Sequence, residues 1–352
     1  MSDAIEKWLD TLPQAARDTA EARLQRLAVL LHERRVQFLI GAGMSFSSGF
    51  PLGRKLSEIM LSDLIHGGSL SSTSPVASRL VDMFPLDAVA EAYLRQFDEA
   101  SLTRLIKKIY GSSSAGLHDG HRKLRYFADH GFVDRIYTTN FDRLIEDSLM
   151  PRSVSVTDEN IEDVHTAKAE NKTVVYHLHG AVGAGPRITE HDTFELNTAV
   201  AELFIADLML YWFVCVGYSM ADMDLRYLFL SAHQLLTRQH AAKRPFIINP
   251  LIAATDADWR VADMIWSARN FMYIPGTAEL ALPALESLLG RIGGDAIARA
   301  IVTKMGGNPD EPDEIRGVWN RAIAMQSSNL GSDRDALDVL AEQYGITDEN
   351  NS

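Results

Sequence analysis

Short apolar runs alternate along this chain with longer stretches in which apolar residues recur at helical spacing. Val36–Ile40, Val133–Tyr137, Thr173–Leu178, Tyr211–Val216, Pro245–Ile248 and Phe271–Ile274 read as buried strands, with a shorter one at Val154–Val156. Each main run ends in a turn-forming or polar cluster. Residues 1–35 place Leu24, Leu27, Leu30 and Leu31 on one face and predict an N-terminal helical cap. A helix is expected from Arg54 to Ile65, delayed by Pro51 and Gly53, followed by a Gly/Ser/Thr-rich turn over His66–Pro75. Val76 to His130 reads as helix after helix, with stripes at Val89, Tyr93 and Phe97 and at Leu102, Leu105, Ile106 and Ile109. A helical block between two strands of one sheet predicts an insertion at about 76–130 that forms a small subdomain over the site. A helix is expected at Arg143–Leu149. Residues 283–352 are helical again, broken at Gly306–Pro309, and are expected to serve packing or oligomerisation. The predicted fold class is α/β: a doubly wound, mostly parallel Rossmann-like sheet over 36–282, with a helical insertion and helical termini.

Open α/β sheets bind ligands at the carboxyl ends of their strands, and polar residues gather there in this chain. Gly41 and Gly43 follow the first strand at once, where the backbone must turn tightly and can approach a pyrophosphate. Met44, Ser45 and Phe46 stand where the plain dinucleotide fingerprint would carry a third glycine. The second strand leads into Thr138-Thr139-Asn140-Phe141-Asp142, the fourth into His179-Gly180, the fifth into Gly217-Tyr218-Ser219, and the sixth into Asn249-Pro250.

Composition narrows the function classes. The 352 residues are 46% hydrophobic and 23% charged, as in ordinary globular domains. The most apolar stretch, near Leu203–Val216, is interrupted by Asp207 and too short to span a bilayer, and residues 1–35 lack a signal-peptide pattern, so a cytoplasmic, non-membrane protein is expected. A net charge of −13 without a basic run argues against direct nucleic-acid binding. The single cysteine, Cys215, excludes an intramolecular disulfide and a multi-cysteine zinc site. His118 and His121 have ligand spacing, but no further cysteine or carboxylate pair completes a set, so no metal is expected.

Taken in order, these clusters resemble the sirtuin superfamily. Gly41-Ala42-Gly43-Met44-Ser45, with Ser48-Gly49-Phe50-Pro51 and Arg54, is similar to the sirtuin cofactor loop. Thr139-Asn140-Phe141-Asp142 resembles its Asn-x-Asp motif, Leu178-His179-Gly180 its catalytic histidine motif, and Gly217-Tyr218-Ser219 its later Gly-x-Ser; Asn249 is similar to the asparagine that meets the adenosine ribose. Two departures matter. The four-cysteine zinc module of deacylating sirtuins is absent between Gly180 and Val216, and Gly53 stands where sirtuins keep a phenylalanine against the nicotinamide. The resemblance therefore implies the bacterial sirtuin-like NADases of anti-phage defence: NAD as substrate, no metal, a homo-oligomer, and a separately encoded partner such as a HerA-type ATPase or a short Argonaute. It implies NAD binding by Gly41, Ala42, Gly43, Ser45, Pro51, Arg54, Gly217, Ser219 and Asn249, and catalysis by Asn140, Asp142 and His179.

The residue chemistry fits cleavage of the nicotinamide N-glycosidic bond. The reaction passes through an oxocarbenium-like state with a good leaving group, so the site must hold the ribose, align the carboxamide and place a water. Asp142 can accept from the carboxamide, Asn140 can orient water or a ribose hydroxyl, and His179 can take a proton near neutral pH. His177, two residues earlier on the strand, is read as a satisfied core histidine, and Asp222 and Asp224 as helix caps. Protein deacylation and non-catalytic sensing of NAD or ADP-ribose are the competing readings.

Overall fold

The computed structural model describes residues 3–67, 74–111, 116–182, 187–189, 199–220, 223–238, 243–251, 255–325, 333–344 and 346. Most of the turn expected over His66–Pro75 and the side chains of Asp222 and Asp224 lie outside the described residues. Seven strands, β1 (Val36–Ile40), β2 (Arg135–Thr138), β3 (Ser153–Val156), β4 (Thr173–His177), β5 (Trp212–Val216), β6 (Phe246–Asn249) and β7 (Met272–Pro275), form one sheet in the order β3-β4-β2-β1-β5-β6-β7. Every pairing is parallel, so the expectation of a mostly parallel sheet is met in full among the described strands. The central strands are buried on both faces, which is why their sequences are largely apolar without alternation, and the buried Gln37 of β1 donates to Asp134 Oδ1 (2.9 Å). After β1 the chain moves to one side of the sheet, and from β5 it moves to the other. The switch point, where such sheets hold ligands, lies between the carboxyl ends of β1 and β5.

The helices divide between three cores. α1 (Asp3–Asp10) and α2 (Gln14–His32) bury Ile5, Trp8, Leu24, Leu27 and Leu31 in the main core, and the Trp8 indole donates to the Pro275 carbonyl (2.9 Å). The N-terminal segment is therefore integral to the main core, and its leucine stripe is used internally. α3 (Gly53–Ile65) packs with α4 (Pro75–Leu80), α5 (Leu86–Gln96) and α6 (Glu99–Tyr110) around a second core of Leu56, Met60, Val89, Tyr93, Leu105 and Ile106. The helical block expected over 76–130 ends earlier than its sequence pattern suggests. α7 (Asp119–Asp129) sends Leu124 and Phe127 into the main core and serves as the crossover helix to β2. The boundary expected after Leu282 is also moved. One helix, Ala278–Lys304, crosses it, with Leu282, Leu285 and Leu289 in the main core and Ala298, Ile301 and Val302 in a third core with the helices Pro312–Met325 and Asp333–Gln343. A helical period does not report which core a stripe faces, so both corrections needed the packing.

Candidate active site at the carboxyl edge of the sheet

The first half of the site is backbone. Gly41 N–H donates to the Val216 carbonyl (2.9 Å) and Gly43 N–H to the Gly217 carbonyl (2.8 Å), so the turns leaving β1 and β5 lie against each other. A Cβ at Gly41 would stand 2.6 Å from Tyr218 Cα, and one at Gly43 2.8 Å from Gly217 Cα. At Gly217, with φ +63°, it would stand 2.4 Å from the Met44 nitrogen. No side chain fits between two backbones this close, which is the physical need for glycine at all three positions. Two short 3₁₀ turns, Ala42–Met44 and Phe46–Ser48, carry the chain through Gly49 in the left-handed region toward α3. Asn249 Nδ2 donates to the Tyr218 carbonyl (2.8 Å) and ties the end of β6 to the same crossing.

The second half is made of buried polar side chains. The Asn140 amide nitrogen donates to Ser45 Oγ (3.1 Å), and the Ser45 hydroxyl bonds to the Asp142 carboxylate. This sets the orientation of the Asn140 amide and leaves its Oδ1 buried without a hydrogen-bond partner. An orphaned buried acceptor is costly unless something else donates to it. Asp142 is 2% exposed and also accepts from Leu144 N–H (3.0 Å), at the start of α8 (Leu144–Leu149). Burial pushes its carboxyl above the ordinary range, and the Glu146 charge adds to this; Leu144 N–H, Ser45 and His177 oppose it. His179 is half-buried just beyond β4, and its carbonyl accepts from Arg187 N–H (2.9 Å).

His177 and Glu146 complete this half. The imidazole bridges the Asn140 carbonyl (Nδ1, 3.0 Å) and Glu146 Oε1 (Nε2, 2.7 Å), with both side chains almost wholly buried. His177 is thus paired in the core as expected, but its partners belong to the Asn140–Asp142 loop and to α8, which follows it. Sequence reading missed Glu146. Its signal was a glutamate on the apolar inner face of α8, four residues after Asp142, where a charge must have a partner. It also missed Tyr110, whose hydroxyl donates to the Pro51 carbonyl (3.2 Å) and whose ring lies between Phe50 and Phe141.

Other predicted residues lie apart from this cluster. Arg54 is 64% exposed and donates to Asp82 Oδ1 (2.7 Å), just after α4. Pro51 is half-buried and Ser219 exposed beside the glycine crossing. His118 accepts from Gly120 N–H as the cap of α7 and its Nε2 meets the Met44 carbonyl, so it braces the glycine loop. His121 is buried beside it, its pKa pushed down to about 3 by burial and then by His118. Among the described residues no group of three or more His, Cys, Asp or Glu is arranged to hold a metal, and Cys215 is buried on β5 with its pKa raised by burial. A cleft at the opposite, amino end of the strands is bordered by Arg34, Asp129, Asp134, Arg152 and Lys172 and by none of the predicted site residues.

Known proteins supply the context. Residues 134–271 match the family model of the SIR2-like domain, a stretch that holds Asn140, Asp142, His179, Gly217 and Asn249 but not the first glycine loop. Over 215 residues the chain is 27% identical to "NAD(+) hydrolase ThsA" of Cytobacillus dafuensis, covering 59% of this chain and 40% of the relative. Over 219 residues it is 25% identical to "NAD(+) hydrolase ThsA" of Bacillus cereus (strain MSX-D12), covering 59% of this chain and 42% of that one. The chain thus spans about two fifths of the length of the curated relatives it matches. A solved structure described as "Structural Basis for the Mechanism and Regulation of Sir2 Enzymes" overlaps 77% of this chain and 98% of its own at 15% identity and a TM-score of 0.41. The ordered motifs of the sequence and the match to the SIR2-like domain over residues 134–271 together make the polar half of this site similar to that of SIR2-like proteins.

Proposed function

We propose that the protein is an NAD hydrolase that cleaves the nicotinamide N-glycosidic bond to give nicotinamide and ADP-ribose. The observation that carries this reading is the buried, unpartnered Oδ1 of Asn140, set by Ser45 at the switch point beside the glycine crossing. Two matched relatives bear the printed name NAD(+) hydrolase, which supports the same chemistry. NAD is here the substrate. The backbone of Gly41, Ala42, Gly43 and Gly217, with Ser219 and Asn249, holds the dinucleotide; Ser45 acts through Asn140 and Asp142.

In the reaction, positive charge on the pyridinium passes to the ribose as the bond breaks. Asp142, when ionised, supplies the net negative charge of this half of the site and favours that cation electrostatically, while the Glu146–His177 pair behind it is neutral overall. Asn140 Oδ1 accepts from a ribose hydroxyl or the attacking water, and His179 takes the proton released. Asp142 faces the loop in the geometry above, so contact with the carboxamide requires Ser45 or Leu144 to share it. Pro51 and Arg54 join the loop to the helical block through Tyr110 and Asp82, and this supports the block as the gate that holds the site inactive until triggered.

The wider reading is a cytoplasmic effector of anti-phage defence, acting as a homo-oligomer with a separately encoded partner of the HerA-type ATPase kind. No helix among the described residues is long and apolar enough to cross a membrane. Since the leucine stripe of α2 is used internally, the exposed Tyr227, Leu230 and Leu235 on the helix Met223–Arg238 are the better surface for self-association. Nicotinamide release from NAD by the purified chain, alone and with its genomic neighbour's product, tests the central claim. His179→Ala should lower turnover by roughly two to four orders of magnitude, as loss of a positioned general base does. Turnover equal to wild type in that variant would sink the assignment.

A further inference from the structure

We propose that Glu146 and His177 are positioning residues for the NAD-cleaving reaction, a proton-holding clamp that fixes the backbone of Asn140 from behind and so aims its amide at the substrate. The inference rests on the hydrolase reading above but stands on its own geometry. The Asn140 carbonyl can only accept, so the 3.0 Å contact requires a proton on Nδ1 of His177. The 2.7 Å contact on Nε2 then needs one more proton, carried either by the imidazole or by Glu146. The environment selects the first arrangement. Burial acts to lower His177, but the hydrogen bond and charge of Glu146, the Asn140 carbonyl and the charge of Asp142 outweigh it, and the imidazole titrates above its ordinary value. Burial acts to raise Glu146, yet the bond and charge of His177, with Ser155 nearby, hold it below its ordinary value. Both directions favour the imidazolium facing a carboxylate over the neutral pair.

Its place in the fold explains why a buried ion pair is kept here. His177 is the last residue of β4, Glu146 lies on the inner face of α8, and Asn140 and Asp142 lie in the loop between β2 and α8. Asn140 is therefore held at three points: its N–H by Thr138 Oγ1 (3.0 Å), its amide nitrogen by Ser45, and its carbonyl by His177. Removing the third point frees the peptide plane to rotate and moves Oδ1. A shift of about 1 Å at a reacting group can reduce rate about 100-fold. The clamp touches no substrate, so its loss should appear in kcat more than in KM.

The conservative variant separates geometry from charge. In Glu146→Gln a neutral imidazole still donates Nδ1–H to Asn140 while the new amide donates to Nε2, so the clamp persists without its ions. The titratable groups facing His177 are Glu146 and Asp142, and those facing Asp142 are His177 and Glu146, with Tyr110 nearby. His177→Ala removes a positive neighbour from Asp142 and should move the acid limb of the kcat/KM profile to higher pH. The experiment is turnover by wild type, His177→Ala, Glu146→Ala and Glu146→Gln, with hydrogen exchange of the backbone over 139–143 in each. Expected are kcat losses of about 100-fold in the two alanine variants, faster exchange over 139–143, and kcat within a few-fold of wild type in Glu146→Gln. A folded His177→Ala with wild-type exchange over 139–143 overturns the proposal, as does a Glu146→Gln as impaired as Glu146→Ala. If His177→Ala does not fold, the two Glu146 variants decide. Should wild type itself not cleave NAD, the hydrolase reading fails, and exchange over 139–143 still supports or overturns the clamp.

Discussion

The two halves of the site are built on opposite principles. Around the ends of β1 and β5, Gly41, Gly43 and Gly217 bring two backbones together by having no side chains. Around the ends of β2 and β4, Asn140, Asp142, Glu146 and His177 fill a buried volume with polar groups that must satisfy one another. The first half is steric and tolerates nothing larger than glycine. The second is electrostatic, and each member depends on the protonation and orientation of the others. The N–H groups of Gly41, Gly43 and Gly217 are all spent on carbonyls, so the glycine crossing fixes the shape of the cleft floor, whereas bond cleavage needs side chains whose acceptors and charges are aimed.

Substitutions should separate the halves by the kind of effect as well as its size. His177→Ala leaves the Glu146 carboxylate buried without its counter-charge and should destabilise the fold by about 4 kcal/mol. That loss should depend on pH. His177 has a raised pKa, so its stabilisation is complete below the unfolded value of 6.5 and disappears as pH rises through the folded value. Glu146 has a lowered pKa, so its stabilisation is present above 4.5 and is lost as pH falls through the folded value. Denaturant unfolding should therefore give the largest difference between wild type and variant from about pH 4.5 to 6.5, shrinking on either side. A difference that is flat with pH would remove the ion pair from the account.

Gly217→Ala attacks the steric half, forcing a Cβ onto the Met44 nitrogen at positive φ, and should cost about 3 kcal/mol with no pH signature. Unfolding at pH 5.5 and 8 would show whether the two losses differ in this way. Ser45→Ala joins the halves: the amide of Asn140 and the carboxylate of Asp142 each lose a partner, for about 2 kcal/mol and a higher Asp142 pKa. The acid limb of NAD turnover should move to higher pH in that variant, and an unmoved limb would mean that Asp142 does not govern it. Tyr110→Phe removes only the bond to the Pro51 carbonyl, for about 1 kcal/mol, and should raise resting turnover if the helical block is the gate. Resting turnover at the wild-type level would place the switch elsewhere.

The glycine half was legible in the sequence because its signal is local: Gly41 and Gly43 stand directly after an apolar run, and Gly217 directly after another. The polar half was legible only in part. Asn140, Asp142 and His179 stand at strand ends, where sequence order alone marks them. Glu146 looked like one acidic residue among several on a short helix, and His177 like a core histidine. Arg54 carried the right motif position, yet its guanidinium extends to Asp82 in the described geometry.

What the sequence by itself determined was the sheet: seven apolar runs, each within two residues of an observed strand, and the positions where chain reversals expose backbone. These depend on interactions among near neighbours, since a strand buried on both faces must be largely apolar and a sharp turn favours glycine. What only the tertiary structure decided was which helices share a core, where the helix Ala278–Lys304 passes from one core to the next, and which acid meets His177. The last of these rests on a contact between residues 31 positions apart, and a buried charge chooses its partner by proximity in space, because desolvation forbids it to stand alone.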